Sequence, residues 1–221
     1  MRRYAVVTGA TSGIGREYAR SLAADGLNII VTGRRRERID GVAAELRERH
    51  GVEVTVVVGD LTDPTVEGAL HNAVGEAVAS ESGAAVEWLV NNAGAGFGAP
   101  LASVAPEEIG RAFALLVEVP ARLCRAVLPD MYSRRVGTIV NVGSLAGRVP
   151  VRSSSLYVAA KAALERLSES LALEAAPNGV VVQALLPGFV RTDFHRDDPD
   201  IPAAFQGRGL VRWATTDAVV T

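Results

Sequence analysis

Apolar positions along the chain alternate between two patterns. Short β-branched runs fall at residues 4–8, 27–32, 53–58, 87–91, 137–142 and 180–186. Between them lie longer Ala/Leu/Arg/Glu segments of helical period at 13–24, 37–50, 65–79, 106–116 continuing towards 134, and 156–175. Strand and helix in strict alternation predict parallel strands joined by crossover helices. Ile29-Ile30-Val31 and Val56-Val57-Val58 are continuous rather than alternating, which predicts strands buried on both faces. Right-handed connections then give a doubly wound parallel α/β sheet.

With 221 residues, the chain is long enough to bury one full core, and it has no linker, repeat or low-complexity tract to divide it. A single domain over 1–221 is the expectation. Residues 187–212 form the one long irregular stretch, a length that marks lids and binding loops. Thr215-Thr216-Asp217 reads as the cap of a new helix, and no strand follows it. That leaves the 180–186 run as an unpaired apolar edge, and either reduced stability or burial of the edge by a partner copy in a homo-oligomer is the expectation.

Charge narrows the function classes. There are 23 basic and 25 acidic side chains, a net charge of −2, so no basic excess points to nucleic acid or an anionic membrane. No run reaches the roughly 18 apolar residues of a membrane span, and the N-terminal apolar run is too short for a signal peptide. One cysteine, Cys124, fits a reducing compartment, and a cytoplasmic location is expected. His50, His71 and His195 have no metal-ligand spacing, so no metal is expected.

The first strand runs into Thr8-Gly9-Ala10-Thr11-Ser12-Gly13-Ile14-Gly15 and then a helix. Gly9, Gly13 and Gly15 let backbone turn tightly and approach a pyrophosphate, whose charge meets the open N–H groups of the helix start from Ser12 to Ile14. After the second strand, where a free ribose 2′-hydroxyl would call for a carboxylate, the chain reads Thr32-Gly33-Arg34-Arg35-Arg36. A guanidinium suits a 2′-phosphate, which favours NADP over NAD and singles out Arg34. Asp60, followed by Leu61, is placed to accept from an adenine amino group, although a helix cap is the alternative, a role that Asp63 could serve equally well. Asn91, Ala93 and Gly94 end the fourth strand, where small residues again admit backbone to the cofactor.

At the reacting end the basic residues are themselves informative. All but one are arginine, and the exception, Lys161, stands four residues after Tyr157, so the two share a helix face. A phenol of pKa about 10 exchanges protons poorly near neutrality. A positive charge about 5 Å away, at an effective dielectric near 20, is worth roughly 3 kcal/mol, or about two pKa units of acidification. Tyr157 then serves as general acid and base. Ser144, in Asn141-Val142-Gly143-Ser144 at the end of the fifth strand, supplies a hydroxyl to a carbonyl oxygen.

Together these motifs resemble the short-chain dehydrogenase/reductases, in their compact single-domain branch. The resemblance runs from Tyr4 to about Phe194 and rests on the glycine turn, Asn91-Asn92-Ala93-Gly94, Ser144, Tyr157 with Lys161, and Pro187-Gly188 followed by Thr192. It implies a Rossmann-like fold and hydride transfer between a nicotinamide and a small carbonyl or alcohol substrate. It also implies that Lys161 holds the nicotinamide ribose and that Val190 and Thr192 steady the carboxamide, with Pro187 and Gly188 beside them. One position departs from the family pattern: counting back from Leu128-Pro129, its relay asparagine falls on Leu116, which cannot carry a hydrogen bond. A weakened proton relay is the first consequence; a catalytically silent cofactor-binding or regulatory protein is the alternative.

Overall fold

A computed structural model describes residues 2–190 and 214–220. Strands β1 (Arg3–Val7), β2 (Asn28–Gly33), β3 (Val54–Val58), β4 (Ala85–Asn91), β5 (Gly137–Val142) and β6 (Val180–Leu185) form one sheet in the order β3-β2-β1-β4-β5-β6. Every pairing is parallel. The order reverses between β1 and β4, and in such sheets ligands bind beyond the carboxyl ends of the strands at that reversal.

Successive strand residues face opposite ways, which explains the continuous apolar runs. Tyr4, Val6, Ile30, Leu89 and Ile139 enter one core with α3 (Pro64–Ala79), α5 (Val119–Arg134) and α6 (Ser155–Ala175). Ala5, Val7, Ile29, Val31 and Val90 enter the other with α1 (Gly13–Ala24) and α2 (Arg36–His50). The sheet is thus sandwiched between two helical layers, as the alternation predicts.

Element positions agree with the sequence reading to within two residues, with one exception. The long helix expected from residue 106 is α4 (Pro106–Phe113), a π-helical stretch at Ala114–Glu118, and α5. Leu116 lies in that π stretch. Asp217 begins α7 (Asp217–Val220), whose Val219 and Val220 pack on the same core as α1 and α2. Val190 pairs with Ala214 in a parallel bridge. Most of the expected lid, with Thr192, Phe194 and His195, lies outside the described residues. Among those residues β6 has β5 on one side and no strand on the other, and its Val181 is half exposed.

Candidate active site

The glycine turn after β1 is held from three directions. Ala10 N–H donates to Thr32 O on β2 at 2.9 Å, and Thr8 Oγ1 accepts from the N–H groups of both Asn92 and Ala93 at 2.9 Å. The Asn92 amide donates to Thr8 O and Gly9 O, each at 3.0 Å. Gly9 has φ +66°, and a Cβ there would lie 2.8 Å from Ala93 Cα; a Cβ on Gly15 would lie 2.7 Å from Gly9 O. Side chains are therefore excluded where backbone must pass backbone. The start of α1 carries no acidic residue in its first turn, and Ser12 makes no side-chain cap to it. Its N–H groups are thus available to an anion.

Asn92 is the residue that sequence reasoning passed over. Asn91, named instead, turns its buried amide inward, donating to Asn141 Oδ1 at 2.8 Å. What Asn91 presents to a nucleotide is backbone. Ala93 and Gly94 follow directly at the mouth, and Gly94 stands against Leu116: a Cβ on it would lie 3.5 Å from Leu116 Cδ2.

Arg34 is exposed just beyond β2, and its neighbour Arg35 donates to Thr11 Oγ1 in the glycine turn at 3.3 Å. Two guanidinium-bearing residues therefore follow β2 beside the glycine turn. Asp60 does not cap α3, since Asp63 does so by accepting from Thr65 N–H at 2.8 Å. Asp60 instead accepts from Thr62 and from Arg111, the latter at 2.7 Å. Burial pushes its carboxyl up, but those hydrogen bonds and the Arg111 charge outweigh it and hold the group below the usual carboxylate range. Leu61 beside it is buried.

At the other half of the site, α6 meets β5 and the turn that follows. The Ser144 hydroxyl stands close enough to the Tyr157 phenol to favour its ionised form. Ser144 also caps the short turn Leu145–Arg148 by accepting from Ala146 N–H at 3.1 Å. Lys161, 5% exposed, donates to Val142 O at 2.6 Å, and its Nζ stands 5.8 Å from the Tyr157 ring centroid, within cation–π range. Leu145 N–H donates to Pro187 O at 3.1 Å, which brings Pro187 and Gly188 to the same edge. Val190 is buried in the core, so its contribution there is also backbone.

The electrostatics differ from expectation. Burial raises the Tyr157 phenol above its ordinary value, only partly opposed by the nearby Ser144 hydroxyl. Burial likewise lowers Lys161 to about 8. The strong acidification expected from the ammonium is absent because both groups are dehydrated before any ligand charge arrives, and desolvation favours the neutral form of each.

The family profile for short chain dehydrogenases matches residues 3–200. The chain belongs to the short-chain dehydrogenase/reductase family. It is 33% identical over 193 residues to a very-long-chain 3-oxoacyl-CoA reductase of Anas platyrhynchos, covering 86% of this chain and 60% of that protein. It is 32% identical over 192 residues to an inactive hydroxysteroid dehydrogenase-like protein 1 of Pongo abelii, covering 86% and 56%. Its structure matches a short-chain dehydrogenase from Sphingobium yanoikuyae in complex with NADPH with a TM-score of 0.85 at 33% identity, covering all of this chain and 81% of that one. The chain thus spans about three-fifths of the length of the curated relatives it matches. Among the described residues no helix is long and apolar enough to cross a membrane, and no three His, Cys, Asp or Glu side chains gather as a metal site requires.

Proposed function

We propose that the chain is an NADP-dependent oxidoreductase that moves a hydride between nicotinamide and a small carbonyl or alcohol substrate. The observation that carries this reading is the convergence of Ser144, Tyr157 and Lys161 at the same sheet edge as the glycine turn. The cradle fits a dinucleotide on structural grounds. Gly9 and Gly15 stand where a Cβ would collide with backbone, α1 opens its N–H groups, and Arg34 with Arg35 supplies positive charge for a 2′-phosphate. Asp60, Leu61, Asn91, Ala93 and Gly94 would line the adenine and ribose side. Pro187, Gly188 and Val190 would line the nicotinamide side. The bound nicotinamide supplies or accepts the hydride.

The chain's own residues do the rest. Ser144 Oγ–H and Tyr157 Oη–H donate to the substrate oxygen and fix the carbonyl. As the carbonyl is reduced, Tyr157 gives up its phenolic proton to that oxygen, and the buried Lys161 ammonium stabilises the phenolate left behind. In the reverse direction the phenolate takes the alcohol proton. The phenol's raised pKa is suited to holding the proton until that moment.

Apolar surface at the mouth supports an uncharged substrate. Leu145, Val149 and Val151, next to Ser144 in sequence, and Leu101 are all about half exposed, and residues 94–105 contain no charged side chain.

NADPH consumption against a panel of aliphatic and aromatic ketones tests the reading, with Tyr157→Phe as control. Wild-type turnover that falls by about 10²–10⁴-fold in the variant is expected, with NADPH affinity unchanged. Leu116 and the relative named inactive favour a second reading, a cofactor-binding protein without turnover. NADPH binding with no Tyr157-dependent turnover on any ketone would establish that alternative.

A further inference from the structure

Helix α6 is stitched to β5 and its following turn by four polar contacts, one on nearly every turn of the same helix face. Tyr157 faces Ser144, Lys161 donates to Val142 O, and Ser168 accepts from Asn141 Nδ2 at 2.9 Å. The fourth contact is Glu165, which stands four residues beyond Lys161 and is only 2% exposed. It receives Arg148 Nε at 2.7 Å and Arg148 Nη2 at 2.6 Å, with Arg166 adding a contact at 3.1 Å. The first three stitches serve the reaction or join the two elements in the core. The proposed reaction has no role for Glu165, a buried carboxylate beneath the site.

Arg148 is the last residue of the turn that Ser144 caps. Among the described residues, that turn otherwise hydrogen-bonds to its surroundings only through Leu145 N–H to Pro187 O, and the rest of its contact with α6 is packing. Gly147 lets it lie directly on α6, since a Cβ there would be 2.9 Å from Ala162 N. Both Arg148 contacts converge on Glu165 Oε1, the Nε one as a hydrogen bond and the Nη2 one as an ion pair, so a charge-assisted bond ties the end of the turn to α6. We propose that Arg148 and Glu165 are positioning residues, a clamp that holds the 145–148 turn against α6 and so keeps the Ser144 hydroxyl aimed at Tyr157 and the substrate oxygen.

This inference rests on the assignment of Ser144 and Tyr157 as the reacting pair, and the test separates the two. Arg148→Ala, Arg148→Lys and Glu165→Gln are made in the full chain, and Arg148→Ala is also made in a Ser144→Ala background. Small misplacement of a reacting group is amplified in rate, so Arg148→Ala is expected to lower kcat by about tenfold, with Arg148→Lys retaining part of the activity and NADPH affinity unchanged. In the Ser144→Ala background the same change should cost less than about twofold, since residues that act through one group are not additive. An equal loss in both backgrounds, or none in either, overturns the clamp. A Ser144→Ala variant as active as the wild type overturns the site assignment instead.

A second readout needs no substrate. With 13C-labelled tyrosine, the Tyr157 titration should move to higher pH in Arg148→Ala and Glu165→Gln, because the nearby Ser144 hydroxyl, which favours the phenolate, is moved away. It should not move further when Arg148→Ala is added to Ser144→Ala. A Tyr157 titration unchanged by Arg148→Ala overturns the proposal even if no turnover is found.

Discussion

Gly147 and Lys161 touch through their backbones: a Cβ added to Gly147 would lie 3.0 Å from the Lys161 carbonyl carbon. The turn that carries Ser144 and the helix that carries Tyr157 and Lys161 are therefore in main-chain contact, and the reacting groups are set by the approach of two rigid elements. Gly147→Ala must push them apart. A forced methyl in a packed site costs typically about 1–3 kcal/mol, so Tm should fall by several degrees. The decisive measurement is kcat at a temperature far below that Tm. It should fall well beyond what lost folded protein explains, whereas Gly75→Ala, with nothing within 4 Å of its would-be Cβ, should leave kcat unchanged.

Lys161 gives the nucleotide-free protein a pH dependence of unusual sign. Its pKa is about 8 when folded against an ordinary 10.5. Between those values the unfolded chain binds a proton that the folded chain does not, so stability rises with pH through this window. The difference corresponds to roughly 3 kcal/mol at its full extent, before the raised phenol of Tyr157 begins to work in the opposite direction above pH 10. Denaturant unfolding at pH 7.5 to 10 should show the rise in wild type and a flatter profile in Lys161→Met. A wild-type stability that declines steadily over this range would mean that the ammonium is not dehydrated in the folded protein.

The sheet and most of the site were legible in the sequence because their causes are local. Period-two strand burial, glycines at crowded backbone positions and an i, i+4 spacing on one helix are all properties of short segments. What was not legible depends on elements far apart in the chain. Asn91 and Asn92 are neighbours of one type, yet Asn91 bonds Asn141 in the core while Asn92 braces Gly9. Only the register of β4 against β1 and β5 decides which does which. The same holds for the phenol: residue spacing gives the lysine's proximity, but the dehydration that outweighs it is the work of the whole fold. Glu165 and Arg148 are 17 residues apart, and no helical period links a turn to a helix.

Under the proposed NADP dependence, Arg34 and Arg35 would divide the reading of a 2′-phosphate in a way that mutagenesis can resolve. Arg35 is already engaged with Thr11, so its replacement should loosen the glycine turn and weaken both dinucleotides alike. Among the described residues Arg34 makes no such tie, and its charge should act on the phosphate alone. Charge-assisted bonds of this kind are worth about 1.5–3 kcal/mol. Arg34→Ala should therefore raise the Kd for NADPH by about 10–100-fold while leaving that for NADH nearly unchanged. Isothermal titration with both dinucleotides checks this, and an equal loss for the two would transfer the discriminating role away from Arg34.

Leu116 poses the sharpest question about activity. It is 1% exposed, sits in the π-helical stretch and packs towards Gly94. Insertions of this kind re-aim side chains and gather at functional sites. The Lys161 ammonium has three protons to donate, and Val142 O takes one of them. An acceptor at position 116 would extend the polar path beneath the lysine. Leu116→Asn removes a buried side chain and adds an amide that needs partners, so a loss of about 2–4 kcal/mol is expected. If the relay is what limits the protein, turnover per folded molecule should nevertheless rise, most visibly at low pH, where reprotonating Tyr157 is not limited by supply but by route. Stability and kcat measured together distinguish the cases. A fall in both would make Leu116 a packing residue whose apolar character the site requires, and the proton route would then have to run through solvent at the mouth beside Ser144.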